Sequence, residues 1–346
     1  MLTGILRTLA LLPGVLAIVF LAFTAHAQEI TLKLHTLVPA LSQPVQKFLK
    51  PWGARIEQES GGRIKVEVYP SMQLGGKPEQ LVDQVRDGVV DVIWTVPGYT
   101  PGRFIKSEVF ELPFMHSNPI ATNAALQDFA DKNGEEFSGY KVLLLHVHAG
   151  SAFHTLKPMH TADALHGMKI RTPSRTGSWM LEAMGATPIG APVSSIPEML
   201  SNKVVDGVTI PFEIALPLKV HEMVNYHTVL DDPKYPRPNT AVFLFAMNKD
   251  RYDKLPADLK KVIDNYAGRN ISRWAGQVWI DNEKPGEDAA LLKGEIFKLP
   301  PAEVAKLRKM IEKPVQDRWI EDVKSKGLDG AALVQQARSL IDKYTK

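Results

Sequence analysis

Cysteine is absent from all 346 residues, which excludes disulfides, thiolate metal sites, cysteine nucleophiles and a lipid-modified N-terminal cysteine together. Neither sign of charge predominates: the formal net charge is only +3, with no dense basic block and no interleaving of basic and aromatic residues, so no nucleic acid is expected as partner. Beyond Thr24 no run is apolar for long enough to cross a bilayer. Low-complexity stretches and Gly/Ser linkers are missing, which points to one compact unit. Gly-x-Ser-x-Gly and His-Glu-x-x-His do not occur. Leu74-Gly75-Gly76-Lys77 lacks the earlier glycine and the following Ser or Thr of a phosphate loop and reads as a turn. Asp231-Asp232-Pro233 likewise reads as a turn rather than a catalytic pair. Binding must be local, in a pocket.

What is present begins with an export signal over residues 1–27: Arg7, an apolar run from Thr8 to Thr24, then Ala25-His26-Ala27 with the small-x-small pattern of a signal peptidase site. Cleavage after Ala27 leaves Gln28 first in a periplasmic protein. An uncleaved anchor is the alternative, but Pro13 and Gly14 interrupt a run already short for a span. The rest of the chain, in a sequence 45% hydrophobic, is long enough for a core in two lobes.

Glu29–His35 and Arg63–Tyr69 alternate like strands, Val45–Ser60 and Pro78–Arg86 have helical spacing, and Val89–Trp94 is a near-continuous apolar strand. Strand, helix, strand, helix, strand predicts an α/β lobe with a mainly parallel sheet. Lys141–His148, Lys169–Thr172 and the helix opened by Ser195-Ile196-Pro197-Glu198 repeat the plan. Val89-Val90-Asp91, running through Trp94 to Pro97, parallels Val204-Val205-Asp206, running through Thr209 to Pro211, as in two lobes of like build with strand ends on a shared cleft. From Leu255 onward the chain reads as mostly helical, with one long stretch from Leu259 to Asn282 and a last helix over Leu333–Tyr344.

Gly167-Met168-Lys169-Ile170-Arg171-Thr172-Pro173 is the most pointed segment. A short strand delivers Arg171 to its end, Pro173 stiffens the turn, and a helix is predicted to start near Thr176 or Ser178 and stop at Gly185. A guanidinium offers a planar fork to both oxygens of a carboxylate, and a helix start adds free N–H groups. An ordinary solvated arginine is the alternative.

With these residues in view, the chain from Glu29 onward resembles the extracytoplasmic solute-binding subunits of TRAP transporters, a family typified by dicarboxylate- and sialic acid-binding proteins. The likeness rests on the run Gly62 to Gly76, the Glu111-Leu112-Pro113-Phe114 turn, Gly167 to Pro173, and Asp206-Gly207 ahead of Pro211. It implies a two-lobe periplasmic binding protein fold, each lobe a mainly parallel sheet flanked by helices, joined by hinge strands and a long helix. The implied division is 28–148 plus about 238–276 for lobe 1 and 149–237 plus about 277–346 for lobe 2. It also implies a small organic acid clamped by an arginine, at Arg171, and delivery of the closed complex to a small and a large membrane subunit driven by an ion gradient. Such a protein is no enzyme, needs no cofactor and is expected as a monomer.

The sequence departs from the sialic acid-binding pattern at Ser151, where that group has a second arginine, and at Ile210, where many members have asparagine. Losing two polar partners favours a ligand without polar groups there. His35, Trp94, Tyr99, Phe153, Thr209 and Phe212 lie at strand ends or turns expected to face the cleft, and aromatic rings favour flat apolar bodies. His148 is a further candidate, as a hydrogen-bonding imidazole; with His146 it has a spacing that could hold a metal, though no third ligand is close by. Arg175 follows closely enough to offer a second cation. The favoured ligand is an aromatic or apolar monocarboxylate, with C4-dicarboxylates and small 2-oxo acids as alternatives. A hydrolase or lyase using His148, Arg171 and Glu213, or a subunit of an ATP-driven importer, are the competing functions.

Overall fold

The computed structural model describes residues 30–345; the export signal and its cleavage site lie outside the described residues. Eleven strands are described: β1 (Ile30–Thr36), β2 (Ile64–Tyr69), β3 (Val92–Thr95), β4 (Tyr140–Val147), β5 (Ala152–Thr155), β6 (Lys169–Thr172), β7 (Thr187–Gly190), β8 (Gly207–Ile210), β9 (Tyr226–Leu230), β10 (Val242–Asn248) and β11 (Glu295–Leu299). They form two sheets flanked by helices, of order β2-β1-β3-β10-β4 and β11-β9-β5-β8-β6-β7.

Each sheet is parallel except for one strand. β10 runs antiparallel between β3 and β4, and β5 runs antiparallel between β8 and β9. The chain leaves the first sheet along β4 and enters the second as β5; it leaves the second along β9 and returns as β10. The two opposed strands are therefore the two crossings. Between them, Gly150 sits at φ +104 against the side chain of Arg237, and the Ser151 N–H donates to the Asn239 carbonyl at 2.8 Å. A side chain at position 150 would need both a left-handed backbone and the space Arg237 fills.

The internal likeness read from the sequence has a physical counterpart. Val89 and Val204 are exposed while Val90 and Val205 are buried. Asp91 Oδ2 accepts the Lys33 N–H at 2.8 Å, and Asp206 Oδ2 accepts the Lys169 N–H at 2.8 Å. Each aspartate so fastens the start of one strand to its parallel neighbour, β3 to β1 and β8 to β6.

Of the helices, Arg269–Asp281 packs on Pro119–Asn133 and β4, and after Asn282 Glu283–Leu291 packs on Phe212–Ala215 and β11. Together they form the helical bridge between the sheets. The expected continuous helix from Leu259 is broken before this bridge, where Gly268 takes φ +55 and donates its N–H to the Leu143 carbonyl. The last helix, Gly330–Thr345, buries Leu333, Val334, Ala337 and Ile341 and lies against Pro119–Asn133. Tyr344 donates its hydroxyl to Asp128 at 2.5 Å. The apolar face of the last helix is thus matched on Pro119–Asn133, a helix that itself packs on β4 of the first sheet.

Candidate functional site

Arg171 lies on β6, flanked by β7 and β8, and is only 1% exposed. Its Nε and Nη2 donate to the Ala191 carbonyl at 2.8 and 2.5 Å, and its Nη1 to the Thr209 carbonyl at 3.4 Å. The Tyr99 hydroxyl lies against it and accepts the Val193 N–H at 3.1 Å. Among the described residues no carboxylate pairs with it. Burial therefore pushes its pKa down, countered only by Tyr99. A guanidinium has five N–H donors; three point at these carbonyls and the Tyr99 hydroxyl takes a further contact, so a buried positive charge is left with only a small part of its fork free.

The fork borders a cavity between the two sheets, about 460 Å³ of unfilled space with its open mouth included. The first lobe contributes Leu37, Val38 and Pro44 after β1, Trp94, Val96 and Tyr99 around the end of β3, and Ala241 and Phe243 at the start of β10. The second contributes Arg171, Pro173, Val193, Thr209, Ile210, Pro211, Glu213 and Ile214. Carboxyl ends of parallel strands are where open α/β sheets bind ligands.

Trp94 stacks on Phe243, ring centroids 4.6 Å apart and 13° from parallel, and donates its Nε1–H to His146 Nε2 at 2.8 Å. The indole donor is thus spent away from the cavity. His146 is held in this stack, where burial lowers its pKa to about 3. His148 stands at the crossing: the N–H groups of Gly150 and Ala241 approach Nδ1 and Nε2 at 2.9 and 3.2 Å. A neutral imidazole accepts at one nitrogen only, and the shorter contact assigns acceptance to Nδ1. Burial, then the charges around it, hold its pKa well below the ordinary value. Among the described residues there is no group of three or more potential metal ligands.

The structure brings Arg171, His148, Trp94, Tyr99, Thr209 and Ile210 together around this cavity and leaves five expected residues outside its lining. Arg175 points elsewhere because two carboxylates hold it, Glu108 at 2.6 Å and Asp322 at 2.6 Å. Phe153, on β5, is wholly buried in the core between β8 and β9. Phe212 packs edge-on to His154 under the Arg237 guanidinium. Ser151 is buried in the crossing. His35 Nδ1 lies 2.8 Å from Gln84 Oε1 and its Nε2 accepts the Leu74 N–H, fastening the glycine turn after β2.

Sequence reasoning missed Val38, Val96, Val193, Ala241, Phe243 and Ile214 as lining residues. Val96 follows β3 directly, so the strand-end rule that selects Trp94 and Tyr99 would have selected it. Phe243 and Ala241 become visible only once β10 is known to return between β3 and β4. Glu213 is in the lining too, with its Oε2 free of any hydrogen-bond partner among the described residues.

Residues 35–322 match the family described as bacterial extracellular solute-binding protein, family 7. Among solved structures, a TRAP solute-binding protein from a marine metagenome, specific for aromatic acids and in complex with 3-hydroxybenzoate, is 45% identical, with a TM-score of 0.90 over 92% of this chain and 100% of that one. A TRAP solute-binding protein of Rhodoferax ferrireducens with copurified benzoate is 43% identical, with a TM-score of 0.89 over 91% and 98%. The curated outer membrane transporter protein TsaT of Comamonas testosteroni is 28% identical over 90% of this chain and 91% of its own length.

Proposed function

The chain belongs to the bacterial extracellular solute-binding proteins of family 7 and is a TRAP transporter solute-binding subunit, and from that premise we propose that it captures an aromatic monocarboxylate by an arginine clamp. The observation that carries the reading is Arg171, a buried guanidinium with no carboxylate partner among the described residues, at the edge of an apolar cavity. A ligand carboxylate supplies the missing counter-charge through the free part of the fork. The stacked Trp94 and Phe243, with Val38, Val96 and Ile214, offer flat apolar walls to a ring. A second ligand carboxylate would need its own cation, and Arg175 is committed to Glu108 and Asp322. This favours an aromatic acid over a C4-dicarboxylate, in keeping with the ligands of the two similar structures.

The remaining parts of the reading are functional. The mature protein begins after Ala27 in the periplasm, binds as a monomer, performs no chemistry on the acid and hands it to a small and a large membrane subunit. Closure of the lobes about the crossings at 148–151 and 231–241 gives loaded and empty protein different surfaces. Calorimetry of the mature protein with benzoate and with succinate tests the ligand class. Benzoate is expected to bind and succinate not to; strong succinate binding with no benzoate binding would overturn it.

A further inference from the structure

Opposite in chemistry to Arg171, the cavity lining includes a carboxyl side chain with one oxygen unpartnered among the described residues. Glu213 is 3% exposed, lines the cavity, and its Oε2 has no hydrogen-bond partner among the described residues. The indole N–H of Trp279 faces it without reaching hydrogen-bond geometry. A buried polar group of this kind is costly unless something completes it.

Its position is fixed from the backbone up. The Glu213 N–H donates to Glu283 Oε1 at 3.0 Å, and Gly286 lets the helix Glu283–Leu291 close directly on the Phe212 carbonyl, where a Cβ would collide. Glu213 lies four positions after Thr209, whose carbonyl receives Arg171. The carbonyl that receives Arg171 and the backbone that carries Glu213 therefore belong to one short segment, with Ile210, Pro211 and Ile214 as apolar wall beside them.

We propose that Glu213 recognises a hydroxyl on the ring of the bound acid, so that the cavity prefers hydroxylated aromatic carboxylates to the unsubstituted ring. The proposal rests on the aromatic-acid reading above. Burial first, and then the neighbouring Glu283 carboxylate, raise the Glu213 pKa well above the usual carboxylate range, which favours the protonated form, with both a donor and acceptors. A phenolic hydroxyl also donates and accepts, and the pair carries no charge.

The test is calorimetry of the full mature chain with benzoate, 3-hydroxybenzoate and 4-hydroxybenzoate, for the parent, Glu213→Leu and Glu213→Gln. The quantity read is the ratio of affinities, hydroxylated over plain. In the parent one hydroxybenzoate is expected to bind on the order of tenfold tighter than benzoate. Glu213→Leu should bring that ratio to about one, and Glu213→Gln, which keeps a donor and an acceptor, should retain most of it. A parent that binds none of the three acids overturns this proposal together with the reading beneath it. A parent that binds benzoate without hydroxyl preference, or a preference that survives Glu213→Leu, overturns this proposal alone. Should Glu213→Leu not fold, a crystal structure of the parent with its preferred hydroxybenzoate decides: a ring oxygen within hydrogen-bond reach of the Glu213 carboxyl supports it, and a ring oxygen placed elsewhere refutes it.

Discussion

Replacing Arg171 by methionine separates the two things this residue does. In the ligand-free protein its charge is 1% exposed and answered only by the carbonyls of Ala191 and Thr209 and by Tyr99. Exchanging a buried charge for a well-packed apolar side chain is often neutral or stabilising, by about 1–4 kcal/mol, but here two carbonyls lose donors at ~1–3 kcal/mol each. The ligand-free melting temperature should therefore stay within a few degrees of the parent. Binding behaves differently, since a ligand carboxylate desolvated without its partner costs about 3–5 kcal/mol, or roughly 150- to 5,000-fold in affinity. The assay is thermal melting with and without benzoate, backed by calorimetry. At 100 times the dissociation constant a ligand adds about 2.7 kcal/mol. For a chain of this length, at ~2.1 cal/mol/K of unfolding entropy per residue, that is about 4 °C. The parent should show such a shift and Arg171→Met none; Arg171→Lys, keeping the charge without the fork, should lie between. If Arg171→Met binds benzoate within about threefold of the parent, the clamp is refuted.

Other outcomes follow from groups outside the cavity. Glu111, buried and accepting the Val242 N–H at 2.9 Å and the Thr176 hydroxyl at 3.0 Å, has its pKa raised to about 7, chiefly by burial. The folded state then holds a proton that the unfolded state releases near pH 4.5, so stability is lost as pH rises from about 4.5 through 7. Glu111→Gln should consequently gain on the parent between pH 5 and pH 8, by at most about 3 kcal/mol; a melting-temperature difference independent of pH would contradict this. Arg175, on the helix Arg175–Ala183 beside the second sheet, is tied to Glu108 in the turn Ser107–Glu111 packed on the first. Arg175→Ala should favour the open form and weaken benzoate binding about fivefold or more although it does not line the cavity. Unchanged affinity together with an unchanged ligand-free small-angle scattering curve would refute that.

The legible parts of this protein were those written in short-range pattern. Val89-Val90-Asp91 and Val204-Val205-Asp206 announce equivalent strand starts because the valines and the aspartate are adjacent in sequence, although the strand each aspartate fastens to, at Lys33 or Lys169, is 58 or 37 residues away. Arg171 was legible for the same reason, its strand, its proline and its turn being contiguous. The wall opposite was not: Phe243 meets Trp94 across 149 positions of sequence, and Ala241 meets His148 across 93. Phe153 and Phe212 misled because an aromatic residue near a strand end serves a core as well as a cleft, and only the neighbours supplied by β9 and the helical bridge decide which. Arg175 misled because its partners, Glu108 and Asp322, come from segments 67 residues before and 147 after it.

The placement of β10 and β5 bears on how the chain acquires its fold. The first sheet stays divided into β2-β1-β3 on one side and β4 on the other until residues 242–248 have been threaded between them. The second cannot join β9 to β8 without β5, which follows directly from the first sheet's edge strand. No single cut in the backbone releases either sheet with all its strands, so the halves are not autonomous folding units in the sense that contiguous domains are. Assembly has to wait for contacts of high sequence separation, which makes it slow and all-or-none. The same interlacing that gives the cleft its hinge thus ties the integrity of each wall to the complete synthesis of the other.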